Sequence, residues 1–175
     1  MPKPVRRLSP CRVRLAGVED AAVLARQRVG MFESMGRLTD RQKAPIDRGT
    51  RAFLRRAIPA GEFVGFLAEV DGRPVAGGGL LLRRMMPRPR FPRGFLEAYV
   101  LSVFTEPEHR RRGCARAVMR AILRWCRSHG IARVSLHASK QGRPLYLSLG
   151  FEVRPELRLL LSGKGRGKPR VRLRG

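Results

Sequence analysis

The sequence has no apolar run of the roughly 18 or more residues that a membrane-spanning helix needs. Its first residues, Met1 to Arg7, carry charges but are not followed by the apolar segment of a secretory signal. We therefore expect a protein that is neither anchored in a membrane nor exported.

Cysteine is scarce as well. Cys11, Cys114 and Cys126 are the three in the chain, an odd number without the spacing of a disulfide framework. The simplest interpretation is that all three are reduced thiols in a cytoplasm. No Cys/His cluster has the spacing of a zinc site, so we expect no bound metal.

Acidic residues and large aromatic residues are few. The chain has 13 acidic against 38 basic residues, a net charge of +25. Such a charge predicts affinity for nucleic acid and other polyanions at low salt. The charge is spread along the chain, however, and two tyrosines and one tryptophan do not form a stacking platform for single strands. A genome rich in arginine codons is an alternative explanation of the excess.

Apolar periodicity and turn residues divide the chain into alternating strands and helices. The predicted strands are 12–15, 63–70, 74–82, 96–105, 134–138 and a last one that begins at 151–153 and resumes at 157–161. The first predicted helix opens at 17–20 and ends at Gly36, and the others cover 47–57, 114–129 and 142–149. One domain at 12–161 would lie between a flexible basic arm (1–11) and a disordered basic tail (162–175).

The stretch from Leu96 to Gly130 reads as a strand, a basic turn and an amphipathic helix. A helix N-terminus presents free backbone N–H groups and the positive end of the helix dipole. Gly113 in the turn lets the backbone approach a ligand closely, and Arg110 to Arg112 add full positive charges. Together these features predict a cradle for a pyrophosphate group.

Two motifs and the order of the elements resemble one protein family. Arg110-x-x-Gly113-x-Ala115 resembles the Q/R-x-x-G-x-G/A signature of the GNAT superfamily of acyl-CoA N-acyltransferases, and Tyr146-x-x-x-Gly150-Phe151 resembles its Y-x-x-x-G-F segment. The predicted order β-α-α-β-β-β-α-β-α-β matches the GNAT topology over residues 12–161. The resemblance implies an α/β fold, a mixed and mostly antiparallel central sheet flanked by helices.

The resemblance also implies an activity and site residues. It implies an N-acetyltransferase that moves an acetyl group from acetyl-CoA, its co-substrate, to a primary amine by direct attack in a ternary complex. Tyr146 would protonate the departing thiolate. The residues implied to bind the cofactor are Val103, Phe104, Thr105, Arg110, Arg111, Arg112, Gly113, Cys114, Ala115 and Ser139. The first three would act through their backbone, and Ser139 stands where many relatives carry asparagine.

The group that accepts the proton of the amine is less clearly marked. Several relatives place a glutamate on the central strand, where this sequence has Tyr99, and Glu97 lies on the same strand face two residues earlier. Glu97 is the candidate base, with a salt bridge to an arginine as the alternative role. His137, His109 and an ordered water are alternative proton acceptors. A nucleophilic Cys114 that carries the acyl group would be a different mechanism.

The acceptor is expected to contact Met31, Phe32, Met35, Arg37 and the loop 85–91. These segments are apolar, contain arginines and have almost no acid, so they favour an amine that also carries a carboxylate or phosphate. Polyamines and aminoglycosides would need carboxylates in the acceptor pocket, so we disfavour them as acceptors. We expect a monomer or a homodimer.

Two other functions compete with a small-molecule enzyme. One is a catalytically weak protein on a GNAT scaffold that binds RNA, the ribosome or another polyanion. The other is an enzyme whose acceptor is a ribosomal or nucleic-acid-associated protein. The intact cradle and Tyr146 favour an enzyme, because an RNA-binding protein needs neither of them.

Overall fold

The computed structural model describes residues 11–159, so most of the predicted basic arm, and all of the tail, lie outside the described residues. The chain divides into two compact units between Ser139 and Lys140. The elements are β1 (Arg12–Ala16), α1 (Ala21–Ser34), α2 (Asp40–Ala57), β2 (Phe63–Val70), β3 (Arg73–Met85), β4 (Phe95–Thr105), α3 (Cys114–Ser128), β5 (Arg133–Leu136) and α4 (Arg143–Leu147). Short 3-10 turns cover Val18–Asp20 and Pro107–His109. No helix among the described residues is both long and apolar enough to cross a membrane.

The first unit is built on a five-stranded sheet in the order β1-β2-β3-β4-β5. The first four strands pair antiparallel, and β5 pairs parallel with β4. The hairpin between β2 and β3 turns at Asp71 and Gly72, both with positive φ, as the Asp-Gly sequence predicts. The mixed, mostly antiparallel sheet flanked by helices is therefore confirmed.

Three consecutive glycines in β3 let helices pack on both faces of the sheet. A Cβ on Gly77 would lie 2.3 Å from Oε1 of Gln27 on α1, and a Cβ on Gly79 would lie 2.1 Å from the Phe63 ring. Between them, a Cβ on Gly78 would lie 3.4 Å from Val118 of α3. Neighbouring strand residues point to opposite faces, so α1 and α3 cover opposite sides of the sheet.

Each side of the sheet buries its own apolar cluster. On the side of α1 and α2, a cluster contains Leu24, Leu54, Phe63 and Leu67, with Leu101 packed against it. On the other side, α3 buries Val118, Met119, Ile122 and Cys126. The arginines of α3 occupy its remaining surface, and Arg120, Arg124 and Arg127 are exposed. This is the amphipathic division that the sequence predicts.

Gln27 is an exception in this core. It is 1% exposed, and neither its Nε2 nor its Oε1 has a hydrogen-bond partner among the described residues. A buried amide without partners costs folding free energy.

The substitution Gln27→Met is expected to raise the free energy of unfolding by about 1–2 kcal/mol, because it keeps the side-chain volume and removes two unpaired polar groups. Urea unfolding followed by circular dichroism measures the change. The same substitution at exposed Gln141 is the control and is expected to change little. A loss of stability in Gln27→Met would show that the amide has a partner, such as a buried water.

The second helix begins earlier than predicted. The sequence pattern predicts a start at Asp47, whereas α2 begins at Asp40. The backbone N–H of Thr39 donates to Oε1 of Gln42 at 3.0 Å, which caps the helix start. Pro45 lies in the second turn, where it removes one helical hydrogen bond but does not end the helix.

The second unit contains α4 and no strand among its described residues. The prediction of a last strand at 151–153 and 157–159 is therefore wrong, and residues 160 and 161 lie outside the described part. Val153, Leu157 and Leu159 are 61%, 100% and 79% exposed. Pro155 between them has no N–H for a strand ladder.

The prediction of three reduced cysteines is also wrong. Cys11 and Cys114 form a disulfide across a sequence separation of 103, with their Cα atoms 5.8 Å apart. The bond joins the residue before β1 to the first residue of α3. Cys126 is a buried free thiol, and burial raises its pKa to about 11.

Protein purified without reductant is expected to titrate one cysteine per chain with a thiol reagent in denaturant, and three after reduction. Cys126 should stay silent in the folded protein near pH 8, because a pKa of about 11 leaves little thiolate there. The variant Cys126→Ser should remove the single thiol seen before reduction. Three reactive thiols in the unreduced, unfolded protein would contradict the disulfide.

Candidate active site

A β-bulge interrupts the regular pairing of β4 with β3. Gly77 pairs with Phe104 and Gly79 with Leu101, so Gly78 alone stands opposite both Ser102 and Val103. Ser102 has φ +56°, a left-handed conformation that is uncommon outside glycine. Such a bulge bends the strand and re-aims its backbone groups.

The edge of β4 opens beside this bulge. Pairing with β5 covers Glu97 to Val100, and no described strand pairs with that edge of β4 farther along. The open part runs from Leu101 to Thr105 and leads into the basic turn. It contains Val103, Phe104 and Thr105, for which the family resemblance implies backbone contacts with the cofactor.

The basic turn has the backbone shape expected of an anion cradle. Arg111 has φ +61° and Gly113 has φ +82°, and α3 begins at the next residue. Nothing lies within 4 Å of the position that a Cβ on Gly113 would occupy, so the space in front of the turn is open. Arg111 and Arg112 are at the surface. The first N–H groups of α3 and these cations fit a diphosphate.

Arg110 faces the protein rather than the front of the turn. Its Nε donates to the carbonyl oxygen of Thr105 at 3.2 Å, and its Nη2 donates to Oγ of Ser34 at 2.9 Å. The guanidinium also lies 5.8 Å from the centre of the Phe104 ring. Arg110 thus ties the turn to the end of β4 and to α1.

Two alternatives for acid–base or covalent chemistry have structural partners instead. Cys114 is 1% exposed and bound to Cys11, so it presents no thiolate. Oε1 of Glu97 accepts from Nε of Arg133 at 2.8 Å and from Oγ of Ser135 at 2.9 Å. Glu97 is 5% exposed and five residues from Ser102, or about 16 Å along the strand. This geometry is that of a structural ion pair.

Tyr99 and His137 form a pair on the face of β4 that carries Leu101. The Tyr99 hydroxyl lies 2.9 Å from Nδ1 of His137, and the Arg83 guanidinium lies 4.1 Å from the centre of the Tyr99 ring. Tyr99 is one strand repeat before Leu101 and therefore points to the same side of the sheet, that of α1 and α2. In the sequence, the indication of this site is the position of Tyr99 on the central strand, where several relatives carry a glutamate.

A cavity of about 480 Å³ lies between α1, α2 and the sheet, and we call it the α1–α2 cavity. Its lining consists of Leu24, Arg28, Phe32, Ile46, Gly49, Thr50, Phe53, Leu54, Phe63, Gly78, Leu81, Leu101 and Ser102. The volume is in the range of small-molecule sites. Of the predicted acceptor contacts, Phe32 lines this cavity, whereas Met31, Met35, Arg37 and the loop 85–91 do not.

Arg28 is the lining residue that sequence reasoning missed. Its Nη1 donates to Oγ of Ser102 at 2.6 Å, and its guanidinium lies 4.9 Å from the centre of the Phe32 ring. Burial lowers the pKa of Arg28. The available signal was helical spacing, because Leu24, Arg28 and Phe32 recur every four residues, with one cation inside an apolar stripe.

In the second unit, Tyr146 lies on α4. Its ring meets that of Phe151 edge to face, with centres 5.9 Å apart, and burial raises the pKa of its phenol. The N–H of Phe151 donates to the carbonyl oxygen of Tyr146 at 3.1 Å. Gly150 between them has φ +90°, which explains the glycine of the Y-x-x-x-G-F segment.

Comparison with known proteins decides the family. The model of the Acetyltransferase (GNAT) family matches residues 32–151, more than half of the chain. The chain belongs to the GNAT acetyltransferase family. It is thus an acyl-CoA N-acyltransferase, as the two motifs predicted. A search of curated proteins finds no significant match.

Solved structures share the fold of this GNAT protein. A GCN5-related N-acetyltransferase from Ralstonia eutropha JMP134 is 28% identical, with a TM-score of 0.79 over 88% of this chain and 100% of its own. A predicted acetyltransferase from Clostridium acetobutylicum, solved with acetyl-CoA, is 22% identical, with a TM-score of 0.76 over 86% of this chain and 96% of its own. The ribosomal-protein-alanine N-acetyltransferase of Brucella melitensis biovar Abortus 2308 is 16% identical, with a TM-score of 0.65 over 88% of this chain and 100% of its own.

Proposed function

We propose that this GNAT protein transfers an acetyl group from acetyl-CoA to a primary amine by direct attack in a ternary complex. The observation that carries the proposal is the open edge of β4, which leads through the short turn at Pro107–His109 to the left-handed Gly113 at the start of α3. An extended arm that ends in a diphosphate fits this shape. The pantetheine and pyrophosphate of acetyl-CoA form such a ligand.

In this proposal the backbone holds most of the donor. Val103, Phe104 and Thr105 bond the pantetheine arm through their main chain, at the edge of β4 that β5 leaves uncovered. Backbone N–H groups between Arg111 and Ala115 hold the pyrophosphate, helped by the exposed arginines. Arg110 keeps the turn in place through Thr105 and Ser34. Ser139 adds a hydrogen bond from its hydroxyl.

Side chains outside the backbone cradle carry out the proton transfers. Tyr146 gives a proton to the departing thiolate, and the raised pKa of its phenol keeps that proton available at neutral and mildly alkaline pH. A backbone N–H at the β4 bulge stabilises the negative charge that develops on the carbonyl oxygen. We propose His137, positioned by Tyr99, to accept the amine proton directly or through water, in place of Glu97, whose carboxylate is held by Arg133.

The acceptor is proposed to enter the α1–α2 cavity and to carry an acidic group beside its amine. The lining has no aspartate or glutamate and contains Arg28, which disfavours polycationic amines. We also propose a cytoplasmic location, where acetyl-CoA is at hand.

The test is acceptor-dependent release of free CoA from acetyl-CoA, with mass spectrometry of the product. A mixture of amino acids, amino sugars, polyamines and peptides is the first acceptor set. We expect one acceptor class to gain a single acetyl group at a rate that saturates with acetyl-CoA. Binding of acetyl-CoA without transfer to any amine would overturn the enzymatic proposal.

A second candidate function is binding of RNA, ribosomes or another polyanion. The exposed arginines of α3 and the net charge of +25 favour it. Binding of this kind falls steeply with salt and is insensitive to sequence. A weak dependence on salt, or competition with acetyl-CoA at a single site, would argue against a separate polyanion surface.

A further inference from the structure

Arg28 is a cation without a counter-ion in the part of the chain that the structure describes. The other arginines near carboxylates, such as Arg14 and Arg133, form ion pairs with them. Arg28 pairs with no carboxylate of the described residues, and its recorded partners are the Ser102 hydroxyl and the Phe32 ring. Its pKa is lowered by loss of solvent, and no neighbouring carboxylate counters this effect.

The cavity around Arg28 offers no other charge. Two hydroxyls, of Thr50 and Ser102, are its remaining polar side-chain groups, and the rest of the lining is apolar or glycine. A guanidinium that has lost solvent is stabilised by an anion that can accept bidentate hydrogen bonds. An unpaired cation in an apolar cavity therefore selects a ligand with one anionic group and an apolar body.

The position of Arg28 limits where that anion lies relative to the amine. Its guanidinium is hydrogen-bonded to Ser102, in the bulge of β4 next to the strand segment proposed to hold the acetyl-bearing arm. An anion on Arg28 would thus lie close to the reacting nitrogen. A carboxylate and an amine on the same carbon satisfy this condition, whereas an amine at the far end of a long acid does not.

The part of the cavity lining that α1 and α2 contribute is largely apolar. Phe32, Ile46, Phe53 and Leu54 line this part. They offer space for a large apolar side chain, which would gain free energy from leaving water there.

We propose that the acceptor is a free α-amino acid with a large apolar or aromatic side chain, held by its carboxylate on Arg28. The proposal rests on the proposed function. The ammonium group of the amino acid first gives one proton to water, and the neutral amine attacks the thioester carbonyl carbon while His137 or water accepts the second proton of the nitrogen. A C–N bond forms and the C–S bond breaks, and the thiolate takes a proton from Tyr146. Tyr146 regains its proton from solvent after the reaction. The products are an N-acetyl amino acid and CoA.

The experiment compares two acceptors that differ only in the charged group. L-phenylalanine and L-phenylalaninamide share the side chain and the α-amine, and the amide also represents the N-terminus of a peptide. We expect the kcat/KM of the wild-type protein to favour L-phenylalanine by about 10- to 100-fold, the effect of a charge-assisted hydrogen-bonded pair.

Variants of Arg28 assign the preference to this residue. Arg28→Gln is expected to lower kcat/KM for L-phenylalanine by about 10- to 100-fold and to leave that for the amide within about 3-fold. Arg28→Lys should restore part of the preference, because it restores a positive charge without the planar fork. Arg26→Gln, on the exposed side of α1, is the matched control and should leave both substrates unchanged.

Acetyl-CoA affinity, measured separately, keeps the outcomes distinct. Equal rates with the acid and the amide, or an equal loss for both in Arg28→Gln with acetyl-CoA affinity intact, would overturn the amino-acid proposal and leave the acetyltransferase proposal standing. Absence of acetyl-CoA binding in folded wild-type protein would overturn both. A loss of acetyl-CoA affinity in Arg28→Gln would assign Arg28 to the donor site and also overturn the acceptor proposal.

Discussion

Gly113→Glu is expected to weaken acetyl-CoA binding by at least about 100-fold. The substitution places a carboxylate at the N-terminus of α3, in the open space where we propose that the pyrophosphate lies. Like charges brought together in a binding site cost several kcal/mol, and the free amides of the first turn would then face a fixed anion. Titration calorimetry with acetyl-CoA measures the change in Kd.

The control for this variant separates charge from backbone strain. Gly130 follows α3 at its other end and also has a left-handed φ, +64°, with nothing within 4 Å of a Cβ position. Gly130→Glu therefore imposes a similar strain about 22 Å away along the helix and is expected to leave the Kd for acetyl-CoA within about 2-fold. If Gly113→Glu and Gly130→Glu had the same Kd for acetyl-CoA, the turn at Gly113 would not contact the pyrophosphate.

Tyr146→Phe is expected to lower kcat by about 100-fold or more, the range seen when a positioned general acid is removed. The phenylalanine keeps the edge-to-face contact with Phe151, so acetyl-CoA affinity and folding should change little. Because burial raises the pKa of Tyr146 above its ordinary value of 10.0, any fall in wild-type kcat that its ionisation causes should lie above pH 10. Steady-state kinetics between pH 6 and about 10 check both statements.

Tyr99→Phe is the matched comparison, since the chain has only two tyrosines. Tyr99 is proposed to position His137 rather than to touch the reacting atoms, so its loss should lower kcat by about 10-fold or less. A larger loss in Tyr99→Phe than in Tyr146→Phe would contradict the assigned roles.

The parts of the site that the sequence predicts are those coded by neighbouring residues. Arg110, Gly113 and Ala115 lie within six positions, and the strand before them and the helix after them are set by local periodicity. Gly113 and Gly150 both have a left-handed backbone, a conformation that a glycine in these motifs predicts. For these positions, the residues of one short segment are enough to predict the local backbone structure.

What the sequence could not give depends on distant contacts. Cys11 and Cys114 are 103 positions apart, and no local spacing pairs them. Arg28 becomes distinctive only because α1 brings it against Ser102, 74 positions later, inside an apolar cavity. The position of Glu97 on its strand face suggests a base, but the pairing of β5 with β4 places Arg133 beside it, and the two side chains form an ion pair. The last predicted strand, at 151–153 and 157–161, contains residue types that suit a strand, but as far as residue 159 it pairs with no other described strand.

The most direct test of the central claim, that the β4 edge and the α3 N-terminus bind acetyl-CoA, is a calorimetric titration of the wild-type protein at about 0.2 M salt, which screens unspecific charge attraction. ATP, a polyanion without a pantetheine arm, serves as the control titrant, and Arg110→Ala as the variant that loosens the turn. The predicted result is saturable binding of acetyl-CoA at one site, weaker in Arg110→Ala and much tighter than that of ATP. Equal heats for acetyl-CoA and ATP, or no saturable binding by folded protein, would contradict it.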